Sequence, residues 1–179
     1  MLFRSNITGN QFISPSNFKF FGCWSNLSYN YFSEGSLRLE SCGNNTIYCN
    51  IFMNGTYGIE LVNSNNNTIQ YNSLNSHNQL GISLSNAQSN LILNNTVKYG
   101  NYRSLDLAQS HYNEILGNIF YRSNLGPICL TDSNSNIVKW NILVHAYEYI
   151  YNINGWGNIL APNLETNDWE FPKIGRAHV

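Results

Sequence analysis

The sequence predicts an all-β, single-stranded parallel β-helix solenoid of about seven to eight coils. Three observations carry this reading. Apolar residues recur in fixed columns, with repeat lengths of 20–23 residues. Within each repeat the apolar spacing is two, the period of a strand, and Gly and Asn interrupt the chain too often for a helix. Finally, 32 of the 179 residues are Asn, a poor strand former and a good turn former, so its abundance implies one job done many times.

The repeats read SNITGNQF from Ser5, SNLSYNYF from Ser25, NTIYCNIF from Asn45, NTIQYNSL from Asn67, NLILNNTV from Asn90, NEILGNIF from Asn113 and NIVKWNIL from Asn136, with GNILAPNL a degenerate copy. Their first apolar column is Ile7, Leu27, Ile47, Ile69, Ile92, Ile115, Val138 and Leu160. Five residues on comes Phe12, Phe32, Phe52, Leu74, Val97, Phe120 and Leu143. A third column runs Phe18, Leu37, Ile59, Ile82, Leu105, Ile128 and Tyr151, and a fourth, two residues later, runs Phe20, Leu39, Leu61, Leu84, Leu107, Leu130 and Ile153. This gives two short alternating segments per repeat. Each coil would bury about four large apolar side chains, worth roughly 1.5–3 kcal/mol apiece. That is too little to order one coil alone, so the coils must stack, at about 4.8 Å.

Three residues after each first-column position stands an Asn: Asn10, Asn30, Asn50, Asn72, Asn95, Asn118, Asn141 and Asn163. In register, their amides hydrogen-bond to the coils above and below as an Asn ladder. They also suit turns, satisfying backbone groups and tolerating unusual φ and ψ. The column is architecture rather than a ligand site.

Composition removes some functions. Only 11% of residues are charged and the formal net charge is −1, with no clustered Lys and Arg to hold a nucleic-acid backbone. No apolar stretch approaches the ~20 residues of a membrane span.

The coils resemble the repeats of right-handed parallel β-helix proteins. The pattern NNTIxxNxxxxNxxGIxLxxS is similar to the NosD-like, periplasmic copper-binding group of the pectin-lyase-like superfamily, over residues 5–160. The resemblance implies a right-handed coil and, among its relatives, polysaccharide-active enzymes and copper binding. Copper would want converging ligands, yet His77, His111 and His145 show no His-x-x-x-His spacing and the cysteines no Cys-x-x-Cys. No metal site and no cofactor are therefore assigned. A pectate-lyase-like site needs several carboxylates for Ca²⁺ and an Arg base, and a polygalacturonase-like site needs clustered Asp. Here Asp106, Asp132 and Asp168 are scattered.

The ends read differently. Met1–Asn10 has no apolar run of signal-peptide length. The tail Ile174–Val179 matches the translation of a common sequencing adapter, with Lys173 compatible with the bases before it. Residues 1–172 are taken as one β-helix domain, 173–179 as adapter read-through, and the chain as an environmental fragment that flanking coils or domains would continue. His178 is set aside with the tail.

Binding residues belong where the coil length varies, between the second and third columns, on loops held by a rigid scaffold. These loops carry Tyr57, His77, Tyr99, Tyr102, Arg103, Tyr121, Arg122, His145, Tyr147 and Tyr149, of which Tyr99, Tyr102, Arg103, Tyr121, Arg122, His145 and Tyr147 are the binding candidates. Register places Tyr99, Arg122 and His145 on three successive coils. Tyr rings stack on sugars and Arg bonds hydroxyls or a uronate, although Tyr and Arg packing along a sheet margin would look the same. The outward positions between the third and fourth columns are Lys19, Arg38, Glu60, Ser83, Asp106, Cys129 and Asn152. Glu60 and Asp106, two coils or roughly 9.6 Å apart, are the weak catalytic candidates, at the upper limit for an inverting glycosidase; solvated surface charge is the default. Cys23 and Cys42 share a column with Ser64, Ala87, Ser110 and Ser133, either a small-residue stack or, on adjacent coils, a disulfide. Cys49 and Cys129 are expected to be unpaired. The sequons at Asn6, Asn26, Asn44, Asn54, Asn66 and Asn94 suit a surface protein.

The resulting expectation is a non-catalytic extracellular, cell-surface or periplasmic module whose partner is a polysaccharide or glycan. The alternatives are a lyase-like or hydrolase-like β-helix enzyme, and a NosD-like accessory protein for copper insertion.

Overall fold

In the computed structural model, which describes residues 5–13, 17–21, 24–144, 150–160 and 163–166, each coil carries three short strands rather than two. The spacing of five between the first two columns is odd, so one flat strand would turn one of them outward. The chain instead bends between them. The strands form three parallel sheets of seven, eight and seven strands among the described residues. The first sheet runs from Asn6–Thr8 to Ile137–Lys139, the second from Gln11–Ile13 to Leu164–Thr166, and the third from Phe18–Phe20 to Tyr151–Ile153. Every pairing is parallel and joins neighbouring coils, as in Ile69 with Ile47 and Ile92. Seven coils stack with about six complete turns between first and last, and the final strand opens an eighth. This is a right-handed parallel β-helix.

The four apolar columns fill the interior. Phe32 and Phe52 stack at 4.6 Å and 5°, Phe12 and Phe32 at 4.7 Å and 14°. Leu74, Val97, Phe120 and Leu143 continue that row, all essentially without exposure. One register expectation fails: Cys129 pairs with Tyr151, Leu130 with Asn152 and Thr131 with Ile153. Tyr151 thus leaves the third column, the exposed Ile153 leaves the fourth, and Asn152 rather than Ile153 takes the position level with Leu130. Ile150 packs against the core instead, because an aliphatic side chain fills the interior position that a Tyr hydroxyl would leave unsatisfied.

The Asn ladder is present. From Asn10 to Asn141, the side-chain oxygen of the next Asn accepts both the backbone N–H and the amide N–H of the one before it, at 2.8–3.1 Å. A second ladder, not anticipated from the sequence, runs through Asn45, Asn67, Asn90, Asn113, Asn136 and Asn158 with the same geometry. Its signal lies two residues before each first-column residue. A third column, Cys42, Ser64, Ala87, Ser110 and Ser133, uses hydroxyls: Ser64 Oγ accepts from Cys42 N–H and Ser110 Oγ from Ala87 N–H, both at 3.1 Å. The small-residue stack is therefore hydrogen-bonded. Its other reading, a Cys23–Cys42 disulfide, involves Cys23, which lies outside the described residues.

The unusual φ values are not on the ladder Asn residues, contrary to expectation. Among the described residues, 22 non-glycine residues have φ between 49° and 61°. They fall into four columns at the corners of the coil, two of them immediately before the Asn of the first and of the second ladder. There the αL residue turns the chain and the ladder amide bonds the neighbouring coils. At the start of the third-sheet strand Leu80–Ser85 the wall is so tight that a Cβ on Gly81 would overlap the Val97 side chain and the Ser104 carbonyl.

Candidate functional site

The second and third sheets are joined by the variable loops, and there the strands Thr96–Gly100, Arg103–Ala108 and Ile119–Ser123 extend beyond the minimal length. Lys98 pairs with Tyr121 and Gly100 with Ser123, so Tyr99 sits over Arg122 as the spacing predicts. Both are αL, with φ of 55° and 52°, which swings their side chains outward at the corner. The Tyr99 and Tyr121 rings meet edge to face at 5.3 Å, and the Arg122 guanidinium lies 5.3 Å from the centre of the Tyr121 ring. Lys98 and Arg122 are exposed and make no ion pair among the described residues.

Arg103 sits deeper. Its Nη1 donates to Asp106 Oδ1 at 2.8 Å, and its guanidinium lies 4.9 Å from the Tyr102 ring and 6.0 Å from that of Tyr151. Its buried Nε has no hydrogen-bond partner among the described residues. The structure thus brings Tyr99, Tyr102, Arg103, Tyr121 and Arg122 to one edge. It adds Tyr151, which the sequence reading had assigned to the interior. His145 and Tyr147 lie outside the described residues.

Along the outer face of the third sheet the register is Arg38, Glu60, Ser83, Asp106, Cys129. Glu60 and Asp106 are two coils apart as expected, but each is paired with arginine. Arg38 bridges Glu40 and Glu60 at 3.1 Å each, and Asp106 holds Arg103. Burial pushes the Glu60 carboxyl upward, against the pull of Arg38. Cys129 stands on the outer face beside Asp106 as the spacing predicts, but it is covered and buried there, and that burial raises its thiol. Two separate ion pairs with Ser83 between them are not an acid–base dyad sharing one water.

His77 is not at the loop surface; it is wholly buried, and among the described residues neither ring nitrogen meets a partner in good hydrogen-bond geometry, with only the Gly55 and Tyr57 backbone nearby. Burial lowers its pKa to about 4, outweighing the nearby Gly55 and Tyr57 backbone. His111 Nδ1 accepts the Asn134 N–H at 3.0 Å. Cys49 and Cys129 are in separate columns and form no disulfide. Among the described residues, no three of His, Cys, Asp or Glu converge as metal ligands, and no helix is long and apolar enough to cross a membrane.

A family model described as periplasmic copper-binding protein (NosD) matches residues 4–170. No curated protein matches the sequence. Among solved structures, a double mutant of the periplasmic alginate epimerase AlgG superposes with a TM-score of 0.78 at 14% identity, covering 93% of this chain and 46% of that one. A single mutant of the same epimerase gives 0.73 at 14% identity, with the same coverage of 93% and 46%. This chain therefore spans less than half the length of that enzyme, and the likeness establishes the fold.

Proposed function

The chain belongs to the NosD family of periplasmic copper-binding proteins, and from that premise we propose that it is a non-catalytic β-helix module, periplasmic or extracellular, that holds acidic polysaccharide. The observation that carries this is the cluster of the exposed Tyr99 and Arg122 around the half-buried Tyr121, with the exposed Lys98 on the same edge. Aromatic faces stack on sugar rings, and an exposed guanidinium and ammonium recognise a uronate carboxylate. Successive coils repeat at about 4.8 Å, so an extended chain laid along the stack meets one row of side chains per coil. The fold neighbours named for alginate, a polyuronate, support this ligand class.

The family description calls for copper, and the described residues do not fit it. His77 is sealed in the interior, His111 Nδ1 is already an acceptor, and no thiol stands near either as a convergent ligand. No copper chemistry is derived from them.

The test is electrophoresis of the purified chain through gels containing alginate or polygalacturonate. Retardation is expected, falling about tenfold in affinity for Tyr99→Ala and again for Arg122→Ala. Unchanged retardation in both variants would remove the proposed face, and no retardation of the wild type would remove the ligand class.

A further inference from the structure

The corner before the ladder Asn carries a second aromatic group that the loop site does not use. Its αL column reads Gly9, Tyr29, Cys49, Tyr71, Asn94, Gly117 and Trp140. Gly and Asn adopt αL readily, whereas a large aromatic residue there is an outlier whose strain needs a reason. That reason is not the core: Tyr29 is 61% exposed and Tyr71 51%. Tyr48 stands between them, over the small Cys49, and meets Tyr29 at 5.5 Å and 87° and Tyr71 at 5.8 Å and 80°. Two outward rings, two coils or roughly 9.6 Å apart, thus flank one edge-on ring. This spacing is close to the disaccharide repeat of an extended β-1,4-linked chain.

The surroundings define the ligand's charge. Over the first five coils, the outward positions of the first sheet are Asn6, Thr8, Asn26, Ser28, Thr46, Tyr48, Thr68, Gln70, Leu91 and Leu93, with no charged side chain among them. Hydroxyls and amides beside aromatic faces suit a neutral sugar, whereas the loop edge with Lys98 and Arg122 suits an acidic one. We propose that Tyr29, Tyr48 and Tyr71 form a second binding edge, for a neutral β-1,4-linked polysaccharide, on the opposite side of the second sheet from the loop site. The proposal stands on its own observations and does not require the acidic site.

The experiment uses the whole chain with glucomannan and cellohexaose as neutral probes and alginate as the acidic one. Wild-type protein is expected to bind the neutral probes. Tyr29→Asn with Tyr71→Asn places at both corners a residue the column already uses at Asn94, and should weaken neutral binding at least about tenfold. Relief of αL strain should leave the melting temperature unchanged or raised by about 2–4 °C. Trp140→Gly, in the same column but far from the cluster, should keep neutral binding. Failure of the wild type to bind either neutral probe, or full binding by the double variant, overturns the proposal. So does a melting temperature that falls with binding intact, which marks the rings as structural. Should the double variant lose both, Tyr71→Phe decides: it keeps the face and the αL strain, and retained neutral binding supports stacking while lost binding overturns it. Alginate binding follows Tyr99 and Arg122 and is untouched by the Tyr29 and Tyr71 changes, so the two sites fail separately.

Discussion

Replacing Asn95 by Ala removes one rung from the middle of the ladder, and the structure gives the cost. The Asn95 oxygen accepts the Asn72 backbone N–H at 2.9 Å and Asn72 Nδ2 at 3.0 Å. Its Nδ2 donates to the Ile69 carbonyl at 2.9 Å and to Asn118 Oδ1 at 3.0 Å. After truncation, Asn72 Nδ2 still reaches the carbonyls of Ile47 and Gln70, and Asn118 Oδ1 still accepts the Asn95 N–H. The Asn72 N–H loses its acceptor in a site that is 2% exposed. One orphaned buried donor at about 1–3 kcal/mol, with three further bonds lost at about 0.5–1.5 kcal/mol each and partly replaced, gives a destabilisation of about 3–5 kcal/mol. The matched control is Asn10→Ala, in the same column but exposed at the first coil, where less than about 1 kcal/mol should be lost. Urea unfolding followed by far-ultraviolet circular dichroism measures both, with the midpoint shifting at constant m. Equal small shifts for the two variants would show that the buried ladder does not hold the coils.

Two further outcomes follow from buried polar groups. The His77 imidazole is held at about 4 in the fold against 6.5 when exposed, so the unfolded chain binds the extra proton between those values. Stability is complete above about pH 6.5 and falls as pH drops towards 4, by at most about 3 kcal/mol; urea midpoints across that range should slope in the wild type and flatten in His77→Leu. Ala87 interrupts the hydroxyl column and offers no acceptor to the Ser64 N–H, so Ala87→Ser should raise stability by about 0.5–1.5 kcal/mol, read as a higher urea midpoint.

The fold was legible because burial imposes a period. Ile47, Ile69 and Ile92 face inward whatever the corners do, and their spacing alone sets the register of the first sheet. The third strand per coil was harder to see, since strands of three residues such as Ser73–Asn75 carry one inward side chain and no alternation. The Tyr151 slip was hidden because Tyr and Ile both satisfy an apolar pattern, and only packing chooses between them. The second Asn ladder was visible in principle, as Asn67, Asn90, Asn113 and Asn136 share one offset. At the loop edge, Tyr99 over Arg122 followed from register, but the pairing of Arg103 with Asp106 depends on side-chain direction. So does the burial of His77: its sequence neighbours are Ser and Asn, and the coil closes over it in three dimensions. The strained Tyr29 and Tyr71 could not be found from residue type, since their signal is a backbone angle.

The central functional claim is that this β-helix holds polysaccharide without cleaving it. The most direct measurement incubates the purified chain with a panel of soluble and insoluble polysaccharides and reads, in one sample, protein retention and new reducing or unsaturated ends. Retention without new ends is the predicted result. New ends, lost on Glu60→Gln or Asp106→Asn, would contradict it and make the ion-paired face of the third sheet an active site.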